Sequence, residues 1–186
     1  MEAIKKIELN KIAKVILVAA LGTLLLTISA KIKIPFYPIP MTMQTFIVLF
    51  LGITLGPKIG LLTISLYLFE GIVGLPVFAG TPEKGIGLVY FTGPTMGYLI
   101  GFLIAVYFAG LFKYDKGPIN TFLKLIFSVS VIYILGLIWL GTLIGWDKPI
   151  FKLGAEPFLL AELFKMLLLL FLIPILLKIK KLIKIT

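Results

Sequence analysis

Apolar positions in this chain fall into long unbroken runs, not into the alternating or one-faced patterns of a water-soluble domain. Six runs can be drawn: Ile12–Ala30, Met41–Leu55, Ile59–Leu75, Thr95–Phe112, Ile119–Ile144 and Phe158–Leu177. Proline, glycine or lysine stands at or near most of their ends. A helix that crosses a bilayer needs ~20 mostly apolar residues, so the runs predict six transmembrane helices. The second run is short and must tilt, thin the bilayer locally or draw on the segment before it. The first is too long for the core of a cleaved leader and lacks a clear small-x-small site at its end, so it is expected to be a span.

Composition supports that reading. Of 186 residues, 60% are apolar and 14% charged, against ~45–50% and ~25% in ordinary soluble domains. A soluble fold of this size could not hide so much apolar surface. The expected fold is an all-α integral membrane protein of the cell membrane, one six-helix domain over residues 1–186.

The connections divide into two kinds. Gly56-Pro57-Lys58 is tight, whereas Lys31–Pro40, Pro76–Pro94 and Gly145–Pro157 are long and rich in proline, glycine and aromatics. Loops of that length are functional or disordered, and these are too apolar for disorder. They are expected either to fold over something or to serve as interfacial anchors. An even number of spans puts both termini on one side. That side carries Lys5, Lys6, Lys11, Lys14, Lys58, Lys113, Lys116, Lys178, Lys180, Lys181 and Lys184. The other has Lys31, Lys33, Lys84, Lys148 and Lys152. The excess predicts cytoplasmic termini and long loops outside.

Net charge is +10, from 18 lysines and no arginine against eight acids. The lysines flank apolar runs, which points to membrane lipid as partner and away from nucleic acid. Cysteine and histidine are both absent. No thiolate, no imidazole base and no usual zinc ligand is available, so neither a metal nor a catalytic residue is expected. There is also no phosphate-binding loop of the G-x-x-x-x-G-K-[ST] type.

Charges inside apolar spans are costly and become candidates for function. Lys165 lies eight residues beyond Pro157, ~12 Å along its helix. Glu162 is three residues earlier, on the same helical face. The pair either neutralises itself or faces a cavity open to the outside. Glu70 lies near the outer end of the third run and is expected to support the loop that follows. Thr42 and Gln44, just after Pro40, are the polar groups of the second run placed to face an outer pocket.

Four segments taken in order carry a more specific signal. They are Ile39-Pro40-Met41-Thr42-Met43-Gln44-Thr45, Gly71-Ile72-Val73-Gly74-Leu75-Pro76-Val77-Phe78-Ala79-Gly80, Phe91-Thr92-Gly93-Pro94-Thr95-Met96-Gly97-Tyr98 and Pro157-Phe158-Leu159-Leu160-Ala161-Glu162-Leu163-Phe164-Lys165. Together they resemble the BioY family, the biotin-specific membrane subunits of energy-coupling-factor (ECF) transporters, and the resemblance runs from the first helix to the last.

The resemblance implies a six-helix subunit that captures biotin outside, without catalysis or a cofactor. Its partner would be a coupling module made of a transmembrane T subunit and two ATPases. The family's acid-then-lysine pair falls on Glu162 and Lys165, with glutamate where many relatives have aspartate. Gly80 stands where some relatives have asparagine, with Thr81 beside it. The family's docking motif of two alanines four apart falls on Ala19 and Thr23. For a fused bicyclic ligand with an aliphatic tail, the expected contacts are Phe36, Phe78 and Tyr90, with Tyr98 behind them. The alternatives are a capture subunit for another vitamin, such as thiamine or riboflavin, and an intramembrane enzyme using Glu70 and Glu162 as acid and base.

Overall fold

The computed structural model describes residues 2–36 and 41–183, with the backbone alone for residues 2–10. The Tyr37–Pro40 part of the first outer loop, including Ile39 and Pro40 of the first family segment, lies outside the described residues, as does Lys184. Seven helices follow one another: α1 (Glu2–Lys31), α2 (Gln44–Ile72), α3 (Leu88–Phe91), α4 (Met96–Leu111), α5 (Gly117–Ile144), α6 (Ile150–Gly154) and α7 (Glu156–Ile183). Among the described residues there is no strand, only one antiparallel bridge between Ile34 and Met41. Four helices are long and apolar enough to cross a membrane, Lys11–Lys31 of α1 together with α2, α5 and α7, and α4 is a shorter apolar helix.

α2 is not straight. At Gly56 the backbone takes φ 79° and ψ 175°, a conformation open to glycine and strained for other residues. Pro57 then has no N–H to continue the ladder. The chain reverses there. Gln44 Nε2 donates to the Tyr67 hydroxyl at 3.0 Å, although 23 residues of continuous helix would hold them ~35 Å apart. The halves, 44–55 and 57–72, therefore form a helical hairpin, which is how two of the expected runs appear as one element. Gly110 of α4 seats against the turn so closely that an added Cβ would lie 2.6 Å from the Gly56 carbonyl carbon.

The hairpin is the centre of the molecule. It packs against α1, α4 and α7, and α4 packs in turn on α5. Val48, Ile53, Ile64, Tyr67, Ala105, Val106, Leu125 and Leu169 are sealed in this core. Small residues permit the tight crossings: a Cβ on Gly101 would meet the Ile132 backbone at 2.7 Å, and one on Gly22 would meet Thr63 at 2.5 Å. The outward faces of α1, α5 and α7 are as apolar as the interior, with Ile16, Leu21, Ile134, Phe164 and Phe171 all exposed. Such a surface suits hydrocarbon, not water.

Two short helices, α3 and α6, lie within stretches that the pattern of runs treats as loop. The connection between α2 and α4, which holds α3, is a folded object with its own core. Phe78 is fully buried between Tyr67, Tyr90 and Phe91, with ring centroids 5.2, 4.8 and 5.4 Å away. The Tyr90 hydroxyl donates to the Ala79 carbonyl at 2.8 Å, and burial holds its pKa above the ordinary value, so it remains a neutral donor. The Lys31 ammonium, at the end of α1, donates to both the carbonyl and the hydroxyl oxygen of Thr81 at 2.7 Å. That contact ties α1 to the second outer loop.

Candidate functional site

Four helices bring polar side chains together near the loop-rich end. On α7, Lys165 Nζ lies 2.9 Å from Glu162 Oε1, and both residues are buried, at 6% and 4% exposure. One turn of helix separates them, which is why the pair forms within its own element. The first turn of α2 supplies Thr45, whose hydroxyl donates to the Glu162 carboxylate, 2.9 Å from each oxygen, and accepts from Lys165 Nζ at 3.1 Å. From α5 the Tyr133 hydroxyl donates to Glu162 Oε1 at 3.3 Å. The Tyr133 ring meets that of Tyr98, on α4, edge to face at 5.8 Å. The Tyr98 hydroxyl is fixed by the Gly154 carbonyl at 2.8 Å.

Two buried charges in low dielectric repay their desolvation only when their remaining hydrogen-bond capacity is also met. Here it is met unevenly. Oε1 of Glu162 accepts from Lys165, Tyr133 and Thr45, whereas Oε2 has only Thr45 among the described residues. The Lys165 ammonium has three hydrogens and spends them here on Glu162 and Thr45. One carboxylate oxygen and one ammonium hydrogen are thus left to engage a group carrying a donor and an acceptor side by side.

Next to Thr45 along the chain, Gln44 opens a second polar thread. Thr42 donates to Gln44 Oε1 at 3.3 Å, Gln44 donates to Tyr67, and Tyr67 donates to the Val77 carbonyl at 3.0 Å. Tyr67 also packs on Phe78. Thr42, Gln44, Phe78 and Tyr90 therefore form one connected unit under the second outer loop, and Tyr98 joins the Glu162–Lys165 unit through Tyr133.

Other expected residues fall elsewhere. Phe36 rests on Phe164 at 5.9 Å, a ring that is 55% exposed and turned away from buried Glu162. Gly80 sits at φ 76° in the loop turn, against the aliphatic stem of Lys84. Asparagine, the residue some relatives carry there, is one of the few others that tolerates such a backbone.

Ala19 and Thr23 are where the resemblance puts a docking motif, although small residues at that spacing serve internal packing equally well. They are 2% and 4% exposed and lie on the inward stripe of α1, where the Thr23 hydroxyl stands 2.9 Å from Glu70 Oε1 on the hairpin. Small residues served an internal helix crossing here. The structure thereby gives Glu70 a supporting contact of its own, separate from the Glu162 cluster.

Thr45 and Tyr133 were not among the expected site residues. Thr45 stands beside Gln44 in the first family segment, and Tyr133 is a hydroxyl in the apolar stretch Val131–Leu135. Both signals are in the sequence. Their convergence on Glu162, across 117 and 29 residues of chain, is not.

Known proteins share this arrangement of elements. Residues 3–183 match the family model described as the BioY family. The chain is 38% identical over 153 residues to the probable biotin transporter BioY of Pyrococcus horikoshii, covering 82% of this chain and 90% of that protein. It is 34% identical over 149 residues to the biotin transporter BioY of Thermotoga maritima, covering 80% and 86%. Its fold matches a crystal structure of the S-component for biotin from an ECF-type ABC transporter with a TM-score of 0.73. That match covers 91% of this chain and 93% of the other at 24% identity, so the likeness is one of fold. This multi-pass protein of the cell membrane belongs to the BioY family.

Proposed function

We propose that this chain captures biotin outside the cell and serves as the substrate-specific subunit of an ECF-type transporter. The observation that carries the reading is the buried Glu162–Lys165 pair with Thr45 and Tyr133 around it, below folded outer loops, in a chain whose relatives are named biotin transporters. Counting the two halves of α2 separately gives six long segments, and the lysine distribution favours cytoplasmic termini. The half spanning 44–55 is only ~18 Å long, short of the ~30 Å hydrocarbon core. It would begin well below the outer surface. Thr45 then lies at membrane depth beside Lys165, which is itself ~13 Å into α7.

Biotin offers a ureido head, with two N–H donors flanking one carbonyl, and a carboxylate at the far end of an aliphatic tail. The carboxylate oxygen and ammonium hydrogen left over at Glu162 and Lys165 match the head: Glu162 accepts from a ureido N–H and Lys165 donates to the ureido oxygen. Charge-assisted hydrogen bonds of this kind are roughly twice as strong as neutral ones. Tyr98 supplies an apolar wall beside the pair, and Phe78 and Tyr90, sealed in the core of the second outer loop, hold that loop in shape. Catalysis has no part in this reading. Uphill transport would draw on a T subunit and two ATPases, because the chain carries no phosphate loop.

The test compares biotin with biotin methyl ester, in the parent protein and in Lys165→Met. Acid and ester are expected to lose affinity equally in the variant. A loss confined to the free acid would assign Lys165 to the tail and overturn the head assignment. Tighter binding of thiamine or riboflavin than of biotin by the parent would overturn the substrate.

A further inference from the structure

The opposite end of the molecule holds a cavity of about 620 Å³, within the ~300–1,000 Å³ range of ligand-sized clefts. It opens between the hairpin turn and the end of α7. Leu55, Pro57, Ile59, Leu177 and Ile183 form apolar walls, and Lys58, Lys180 and Lys181 are the charged residues of its lining. Among the described residues no acid lines it, and no carboxylate pairs with any of the three lysines. The Thr54 hydroxyl is turned back onto the Phe50 carbonyl at 2.7 Å, so the wall it belongs to presents no donor. A second, narrower groove of about 190 Å³ shares Thr54, Leu55 and Ile183 with the first and runs along α1 past Val18, Leu21 and Leu25. Every residue lining that groove is apolar apart from Thr54.

A basic cleft that continues into an apolar groove has the two-part chemistry of a lipid. A soluble anion would leave the groove unused, and a neutral lipid would leave three ammonium groups without a counter-charge. The groove borders the outward faces of α1 and α7, where Leu17, Leu24, Ile175 and Leu182 are exposed and hydrocarbon is the solvent. We propose that this cleft binds one anionic phospholipid, its phosphate held by Lys58, Lys180 and Lys181 and one acyl chain laid in the groove beside α1. Basic pockets between membrane helices recognise lipid phosphates in this way. The inference does not rest on biotin, whose proposed site lies at the other end.

Native mass spectrometry of the intact protein in mild detergent tests it, with phosphatidylglycerol and phosphatidylcholine of identical acyl chains as probes. One retained phosphatidylglycerol per protein is expected, with phosphatidylcholine lost at the same activation. The K58Q/K180Q/K181Q variant should retain phosphatidylglycerol about a hundredfold less, since each such lysine contributes about fivefold near an anionic headgroup. The control K113Q/K116Q/K124Q removes the same charge elsewhere and should change retention less than about twofold, as expected of a screened field. Leu21→Trp, which fills the groove, should weaken lipid retention while the lysines remain. Biotin-induced thermal stabilisation reports folding of each variant, and the single variants K180Q and K181Q carry the same comparison if the triple variant does not fold. Equal losses in the two triple variants, equal retention of the two lipids, or full displacement by inorganic phosphate would overturn the proposal. So would unchanged lipid retention with lost assembly on a coupling module, which would give the cleft to a protein partner.

Discussion

At the end that holds Glu162, four helices aim polar groups at one another, and nearly every donor has an acceptor. At the end that holds Gly56 and Pro57, Lys58, Lys180 and Lys181 line an apolar cleft, with no carboxylate partner among the described residues. The same residue type illustrates the difference. Lys165 is buried and bonded to a carboxylate and a hydroxyl, whereas Lys58, Lys180 and Lys181 face a cavity without a described counter-charge. A polar cluster whose members bond one another is rigid, and the few positions it leaves open are geometrically selective. Ammonium groups with no carboxylate partner among the described residues select for charge and little else. On the proposed readings, one end recognises a particular small molecule and the other an anionic lipid.

The comparison breaks most sharply at Lys165. Lys165→Met would leave Glu162 buried without its cation, and stranding one member of a buried pair typically costs about 3–5 kcal/mol. The variant is expected to melt well below the parent in detergent and to bind biotin at least tenfold more weakly, because a hydrogen bond to a charged group contributes about 1.5–3 kcal/mol. Adding Glu162→Gln should restore most of the lost stability and none of the binding. That split separates a structural pair from a recognition pair. If the double variant bound biotin like the parent, the pair would be structural alone. Lys180→Met, by contrast, is expected to leave biotin affinity unchanged.

Tyr133→Phe sharpens the comparison at the next scale. It removes the 3.3 Å hydrogen bond to Glu162 and keeps the ring that packs on Tyr98. The bond is long, so the effect belongs at the low end of the charged range, about 1.5 kcal/mol or roughly tenfold in biotin affinity. Titration calorimetry of the variant checks it. An unchanged affinity would mean that Tyr133 only packs, and that Thr45 alone orients the carboxylate.

The membrane class, the α7 pair and the polar start of α2 were legible because each is local. An apolar run is visible residue by residue, and residues three apart on a helix must share a face. The hairpin at Gly56-Pro57 was legible too, since glycine and proline together mark a reversal. The aromatic core of the outer loop around Phe78, the tie between Lys31 and Thr81, and the convergence of Thr45 and Tyr133 on Glu162 depend on contacts between distant segments. No periodicity encodes those. Ala19 and Thr23 show the same limit from the other side: small residues four apart say that something approaches closely but not whether it is this chain's own hairpin or a partner.

That last ambiguity sets the smallest expected effect. Thr23→Val keeps the β-branched shape that fits the α1 crossing and removes only the hydroxyl that bonds Glu70. Glu70 is half-buried, so water can take over part of the lost contact and the cost falls at or below about 1 kcal/mol, under the usual range for charged hydrogen bonds. A small drop in melting temperature and no change in biotin affinity are expected from the isolated subunit. Ala20→Leu provides the contrast, because Ala20 is exposed on the opposite stripe of α1, and a larger residue there should leave the isolated subunit's stability unchanged. Ala19→Leu, at the buried crossing, should destabilise the subunit by about 1–3 kcal/mol through overpacking. If Ala19→Leu instead left the melt untouched and acted only on assembly with coupling proteins, the inward stripe would have to be a docking face after all. The contact between α1 and the hairpin would then open when a partner binds.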